Sequence, residues 1–129
     1  MKRLLLLLII PFLSFGQVWE QLYEQYTYGE MVQQTTDGGY IAVGFTGGAY
    51  DDASNSDVYL LKTFSNGVTQ WIRTYDNSNQ ERGGFVQQTT DGGYIIVGDT
   101  GYDVYLLKTN PAGNEEWSQT FGWSEDCES

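Results

Sequence analysis

The chain has no histidine, one cysteine, two prolines and only six basic residues among 129. Each shortage removes a class of function. Without histidine, Cys127 cannot be half of a Cys/His nucleophile pair, and no metal-spaced His/Cys set exists. A single cysteine also forbids an intramolecular disulfide, so the cysteines say nothing about an oxidising compartment. Seventeen acidic residues face the six basic ones. So acidic a surface opposes binding to nucleic-acid phosphates or anionic lipid heads, which need clustered Lys and Arg. It favours solubility and leaves room for cations or basic partners. Long apolar stretches are missing too. The only such run, Leu4–Leu13, is interrupted by Pro11 and is shorter than the ~20 residues of a spanning helix.

That run has another reading. Met1-Lys2-Arg3 is a positive start, Leu4–Leu13 is apolar, and Ser14-Phe15-Gly16 puts small residues before Gln17. This is the three-part plan of a secretory signal peptide over residues 1–16. No cysteine follows the apolar run, so a lipid-modified bacterial N-terminus is excluded. The expectation is a secreted or surface protein starting at Gln17, not inserted in a membrane. Losing Lys2 and Arg3 leaves four basic residues against 17 acidic ones, a balance of −13.

What the chain has in abundance is repetition. From Val32 to Gly47 and from Val86 to Gly101 the copies differ at two of sixteen positions, Ala42/Ile96 and Phe45/Asp99. Asp57–Thr63 and Asp103–Thr109 are identical. Gly-punctuated runs rich in Tyr, Val, Ile and Thr predict an all-β protein. Each copy splits into four short strands. The first is Met31–Thr36 or Phe85–Thr90. It ends at Asp37-Gly38 or Asp91-Gly92, a pair suited to a type I′ hairpin. The second is Tyr94–Gly98 and the third Asp103–Thr109, both apolar on two faces until Lys108. Asn110-Pro111-Ala112-Gly113 and Phe64-Ser65-Asn66-Gly67 suit a type I turn closed by a left-handed residue. The fourth strand alternates: Trp117, Gln119 and Phe121 against Glu116, Ser118 and Thr120, as on a half-exposed outer strand.

Inner strands buried on both faces and an alternating outer strand predict a four-stranded sheet held between two like sheets, a β-propeller blade. The spacing agrees. Trp71 to Trp117 is 46 residues and Val32 to Val86 is 54, while propeller repeats run to ~40–50. A β-solenoid coil would be shorter, and an immunoglobulin-like sandwich would not repeat internally. The predicted organisation is an opening strand at residues 17–30 around Trp19, a blade at 31–76, a second at 85–122, and the start of a further unit at 123–129. Two blades fall short of a ring, so the expectation is a fragment of a longer protein. Made as two blades only, the chain would self-associate.

The VQQT-DGGYI-VG, DVYL-KT, Gly-turn and Trp motifs resemble a family of exported bacterial repeat proteins found mainly in Bacteroidota. The resemblance covers Val18 to the C-terminus. It implies a β-propeller fold and export, often as cargo of the type IX secretion route. It implies no catalytic residues. Such proteins often end in a sorting domain, and the expectation is that residues 1–129 do not include it. Kelch repeats are a weaker match, since their Gly doublet follows the second strand, whereas Gly38-Gly39 and Gly92-Gly93 precede it.

Candidate chemistry is sparse. Asp51–Asp57 carries three carboxylates and an Asn, but not the DxDxDG spacing of a calcium loop, and reads as a solvated loop. Asp57 and Asp103 read as turn residues bonding backbone N–H groups. Glu115 and Glu116 are adjacent on a strand and cannot converge on one bond; Glu125-Asp126 is no better as an acid/base pair. Trp19, Trp71 and Trp117 read as wedges, and Tyr40/Tyr94 and Tyr59/Tyr105 as packing between blades. No phosphate loop or nucleophile motif is present. The chain is therefore assigned no catalytic, cofactor-binding or metal-binding residue. It reads as a non-catalytic binding or scaffolding module for glycan or protein. The alternative is a glycan-active propeller enzyme whose site lies in blades this chain does not contain.

Overall fold

The computed structural model describes residues 27–47, 56–76 and 80–122. Eight strands follow one another: β1 (Thr27–Gln34), β2 (Tyr40–Thr46), β3 (Asp57–Thr63), β4 (Thr69–Tyr75), β5 (Arg82–Gln88), β6 (Tyr94–Asp99), β7 (Val104–Thr109) and β8 (Glu115–Phe121). They form two antiparallel four-stranded sheets, ordered β1-β2-β3-β4 and β5-β6-β7-β8. Among the described residues there is no helix. Each copy of the repeat is thus one sheet whose strands pair in the order they leave the chain. The expected signal segment 1–16, the Trp19 strand, Asp51–Asn55 of the acidic loop, and Glu125, Asp126 and Cys127 lie outside the described residues.

Both sheets start earlier than the repeat suggests. Thr27–Glu30, assigned above to the opening strand 17–30, belong to β1, and Arg82–Gly84 belong to β5. Pairing continues past the repeated Val32 and Val86 because each strand absorbs one extra residue. The register shifts between Gly29 and Met31, and again between Gly83 and Phe85. Such bulges leave one residue unpaired and add local twist.

The β1–β2 and β5–β6 connections are not the two-residue type I′ loops expected. Gly38 N–H donates to the Thr35 carbonyl (3.0 Å) and Thr35 N–H to the Gly39 carbonyl (2.9 Å). Thr36 and Asp37 are therefore the central pair of the turn, and Gly38 (φ 85°) is the left-handed residue that closes it. This is the three-residue loop with a closing bulge. The other two hairpins follow the sequence reading: Gly67 and Gly113 donate to the carbonyls of Phe64 and Asn110, at φ 85° and 82°.

The core lies between the sheets. Ile41, Val43, Val58, Leu60 and Tyr75 of the first sheet meet Val86, Tyr94, Ile96, Tyr105 and Leu107 of the second, with Met31 and Trp71 packed on the margin. Period-two alternation sorts these residues: β2 sends Ile41 and Val43 towards the second sheet, while β6 sends Tyr94 and Ile96 back. Burying each such aliphatic or aromatic side chain contributes about 1.5–3 kcal/mol, so this layer sets how the sheets sit together. β3 is buried on both faces, as expected. β6 and β7 instead alternate, and on β8 the apolar series is exposed, because among the described residues only one face of the second sheet has a neighbour.

Candidate functional site

One cluster of repeated polar residues belongs to the hairpins themselves. The Asp37 carboxylate accepts from the Thr35 hydroxyl, from Gly39 N–H (2.9 Å) and from Lys62 Nζ (3.0 and 3.2 Å). Lys62 Nζ also donates to its neighbour's carbonyl at Thr63 (2.9 Å). Asp91, Thr89, Gly93 and Lys108 repeat the arrangement in the second sheet. The Thr hydroxyl, then the backbone N–H, then the lysine hold each aspartate well below its usual range, at about 2. This cluster fixes the end of the β1–β2 loop to β3; it is a structural clasp. Its signal in the sequence was an Asp and a Lys recurring together, which pattern reading left unpaired.

Asp57 and Asp103, expected to brace turns with their carboxylates, are held through their backbone instead. Asp57 N–H donates to the Thr46 hydroxyl (3.4 Å) and Asp103 N–H to the Thr100 hydroxyl (3.3 Å). The Asp57 carboxylate joins those of Asp76 and Glu81, with oxygens within 4.8 Å of one another. Glu81 is buried, and its N–H donates to the Ser56 carbonyl (2.9 Å), which sets Glu81 beside the start of β3. Burial, followed by repulsion from Asp76, raises the Asp57 pKa.

Glu115 and Glu116 diverge, as their adjacency required. Glu116 approaches Lys108 (3.8 Å) on the outer face, whereas Glu115 bears electrostatically on Tyr75 between the sheets. Trp71 is the wedge expected: it meets Tyr94 edge-on (6.0 Å, 64°), and the Arg73 guanidinium lies 5.5 Å from its ring. Trp117, its counterpart, is 44% exposed. Tyr94, Tyr59 and Tyr105 are buried, while Tyr40 is half-buried.

Residues that the repeat does not explain gather elsewhere. Two adjoining clefts share Arg82 and Asp99. One is completed by Glu30, Phe45, Gly83 and Gly84, and the other by Gln80, Gly101 and Tyr102. At the equivalent positions of the other unit, Arg82 is Tyr28, Asp99 is Phe45 and Glu30 is Gly84. The cleft is where the two copies stop being copies. The Tyr28 and Phe45 rings stack (5.0 Å, 22°), and the Arg82 guanidinium caps Phe45 from the second sheet (5.2 Å). Arg82 Nε is buried and has no hydrogen-bond partner among the described residues. Tyr102 stands 99% exposed at the rim. A guanidinium fork, two carboxylates, an amide and a free aromatic ring can bind a polar, hydroxyl-bearing ligand by hydrogen bonds and stacking. They include no nucleophile with an adjacent imidazole. Sequence reading passed over Arg82 and Tyr102. Its one visible signal was the Phe45/Asp99 mismatch inside an otherwise matching stretch.

No family model matches the chain, and no curated protein sequence matches it.

Proposed function

We propose that this chain is an exported, non-catalytic β-propeller repeat protein that binds or scaffolds at the cell surface, with the Arg82–Asp99 cleft as its ligand contact. Residues 1–16 support export by their charge, apolar run and small-residue end. The propeller reading draws on sheets of four sequential strands laid face to face, one per repeat, at a spacing suited to blades. The observation that carries the binding role is the convergence of unrepeated residues in one cleft. Packing demands the same side chains in each unit, so positions free of that demand are where specificity can be written. Glycan is the ligand class that fits best, since sugars offer hydroxyls to Arg, Asp and Gln and a face to an exposed Tyr.

A glycan array probed with the full chain tests this. Retention of a subset of glycans is expected, falling tenfold or more in Arg82→Ala and in Tyr102→Ala. Failure of the wild-type chain to retain any glycan, or undiminished retention by both variants, would sink the reading.

A further inference from the structure

Arg82 and Asp99 stand opposite each other on β5 and β6, yet they do not close into an ion pair. Among the described residues the ion pairs are those of Lys62 and Lys108. Each member of the Arg82–Asp99 pair is held by something else. The Arg82 guanidinium lies 5.2 Å from the centre of the Phe45 ring, a contact that attracts a cation to an aromatic face. Gly101 N–H donates to Asp99 Oδ1 (2.9 Å), which anchors the carboxylate through one oxygen and keeps Oδ2 for a further donor. Arg82 Nε, buried and without a partner among the described residues, still has a hydrogen bond to give. A donor and an acceptor therefore lie side by side without satisfying each other.

We infer that this cleft selects an uncharged glycan, through a hydroxyl that accepts from Arg82 and donates to Asp99; this rests on the glycan reading above and adds to it the charge of the ligand. Hydrogen-bond chemistry separates the candidates. A guanidinium only donates and a carboxylate only accepts, whereas a hydroxyl does both and can bridge them. The carboxylate of a uronic acid, or a sulfate ester, only accepts. It would suit Arg82 but meet Asp99 and Glu30 with like charge. The protonated amine of an unsubstituted amino sugar only donates. It would suit the carboxylates but meet Arg82.

Charge adds to the case against anionic sugars. One cation faces two carboxylates, Glu30 and Asp99, along this cleft, in a chain of net charge −11. Like charges brought together suppress the wrong partner more than they help the right one. Gln80 adds an amide rather than a third charge, its Oε1 lying 3.6 Å from where a Gly101 Cβ would stand. Phe45 and Tyr102 offer ring surface to the C–H face of a sugar. The first unit lacks the pair that does the selecting. Its equivalents, Tyr28 opposite Phe45, are two stacked rings, so the selectivity belongs to one cleft and not to the repeat.

Binding of the full chain to matched oligosaccharides tests this. Each neutral hexose glycan retained on the array is compared with a counterpart carrying a hexuronate and with one carrying an unsubstituted amino sugar, at low and at high salt. The neutral form is expected to bind about tenfold or more tightly than either charged form at low salt. The gap to the hexuronate should narrow as salt screens the repulsion. Asp99→Asn keeps an oxygen for Gly101 N–H and removes the charge, so the hexuronate should gain on the neutral form in that variant. Glu30→Gln, at an exposed side chain, takes its place if circular dichroism shows that Asp99→Asn does not fold. Equal or tighter binding of the hexuronate, equal or tighter binding of the amino sugar, or unchanged discrimination in the folded variant would each overturn the inference and leave glycan binding itself standing. Retention of no glycan at all would overturn both.

Discussion

The Tyr75 hydroxyl, at the end of β4, donates to the carbonyl of Gly113 in the β7–β8 turn, so the outer strand of one sheet is bonded to the outer hairpin of the next. The group is buried, and burial pushes its pKa up. A hydrogen bond in that setting ties the orientation of two sheets that also meet through apolar packing, glutamine contacts and the Arg82–Phe45 contact.

Tyr75→Phe removes that bond while keeping the ring. It leaves a buried carbonyl unsatisfied, which costs about 1–3 kcal/mol. Urea unfolding should show a lower midpoint by that amount with an unchanged slope. The second sheet already carries Phe121 at this position, so the ring itself is compatible with the strand.

Gly113→Ala and Gly67→Ala share one cost and differ in another. Both residues have φ near 85°, where a Cβ costs about 1–2 kcal/mol. Only Gly113 also faces the Trp71 ring, and overpacking of that kind adds about 1–3 kcal/mol. Thermal unfolding of the two variants side by side should therefore show Gly113→Ala as clearly the more damaging. Equal losses would mean that the Trp71 contact relaxes freely.

Asp37 and Asp91 contribute a small acid sensitivity. Each has its pKa lowered from 3.8 to about 2 in the fold. A depressed carboxylate contributes stability that is present above its unfolded value near 4 and is lost as pH falls through about 2. Both groups are solvent-exposed, which keeps the gain small. Thr35→Val removes the hydroxyl that does most to stabilise the Asp37 carboxylate, so carboxyl NMR should show the Asp37 midpoint rising towards its ordinary value while that of Asp91 stays put.

Asp57 behaves in the opposite sense. Its raised pKa means that the folded chain prefers the protonated form, and stability is lost as pH rises from the unfolded value through the folded one. Asp76→Asn removes the secondary cause and leaves desolvation in place. The Asp57 midpoint should therefore fall only part of the way in a carboxyl titration. A complete return to normal would make repulsion, not burial, the dominant cause.

Local chemistry carried most of what could be read in advance. Asn110-Pro111-Ala112-Gly113 specifies its own turn, and the Trp71 wedge followed from recurrence at one place in each unit. The Asp37-Gly38 loop was misread because an Asp-Gly pair suits both two- and three-residue hairpins. The choice is made by register, here Gln34 opposite Tyr40, which a single strand does not reveal. The sequence reading puts Thr27–Glu30 at the end of a separate opening strand and Arg82–Gly84 outside the second blade, because both stretches precede the repeated text and pair across bulges. The cleft was least legible. Glu30, Phe45, Arg82 and Asp99 come from four strands in two sheets, and only the stacking of those sheets brings them together.

Near-identical strands also pose a sorting problem while the chain folds. β1 could take β6 as its partner, and β5 could take β2, with every residue from Val32 or Val86 onward still matched. The cross-strand pairs that distinguish true partners are Tyr28 opposite Phe45 and Arg82 opposite Asp99. A swapped chain would face Tyr28 with a carboxylate and deprive Arg82 of one, exchanging an aromatic stack and a complementary charge pair for two mismatches. Exchanging the two residues, F45D with D99F, should therefore slow refolding and raise the yield of mispaired species on rapid dilution from urea. The letters in which the copies disagree serve as the chain's own proofreading marks.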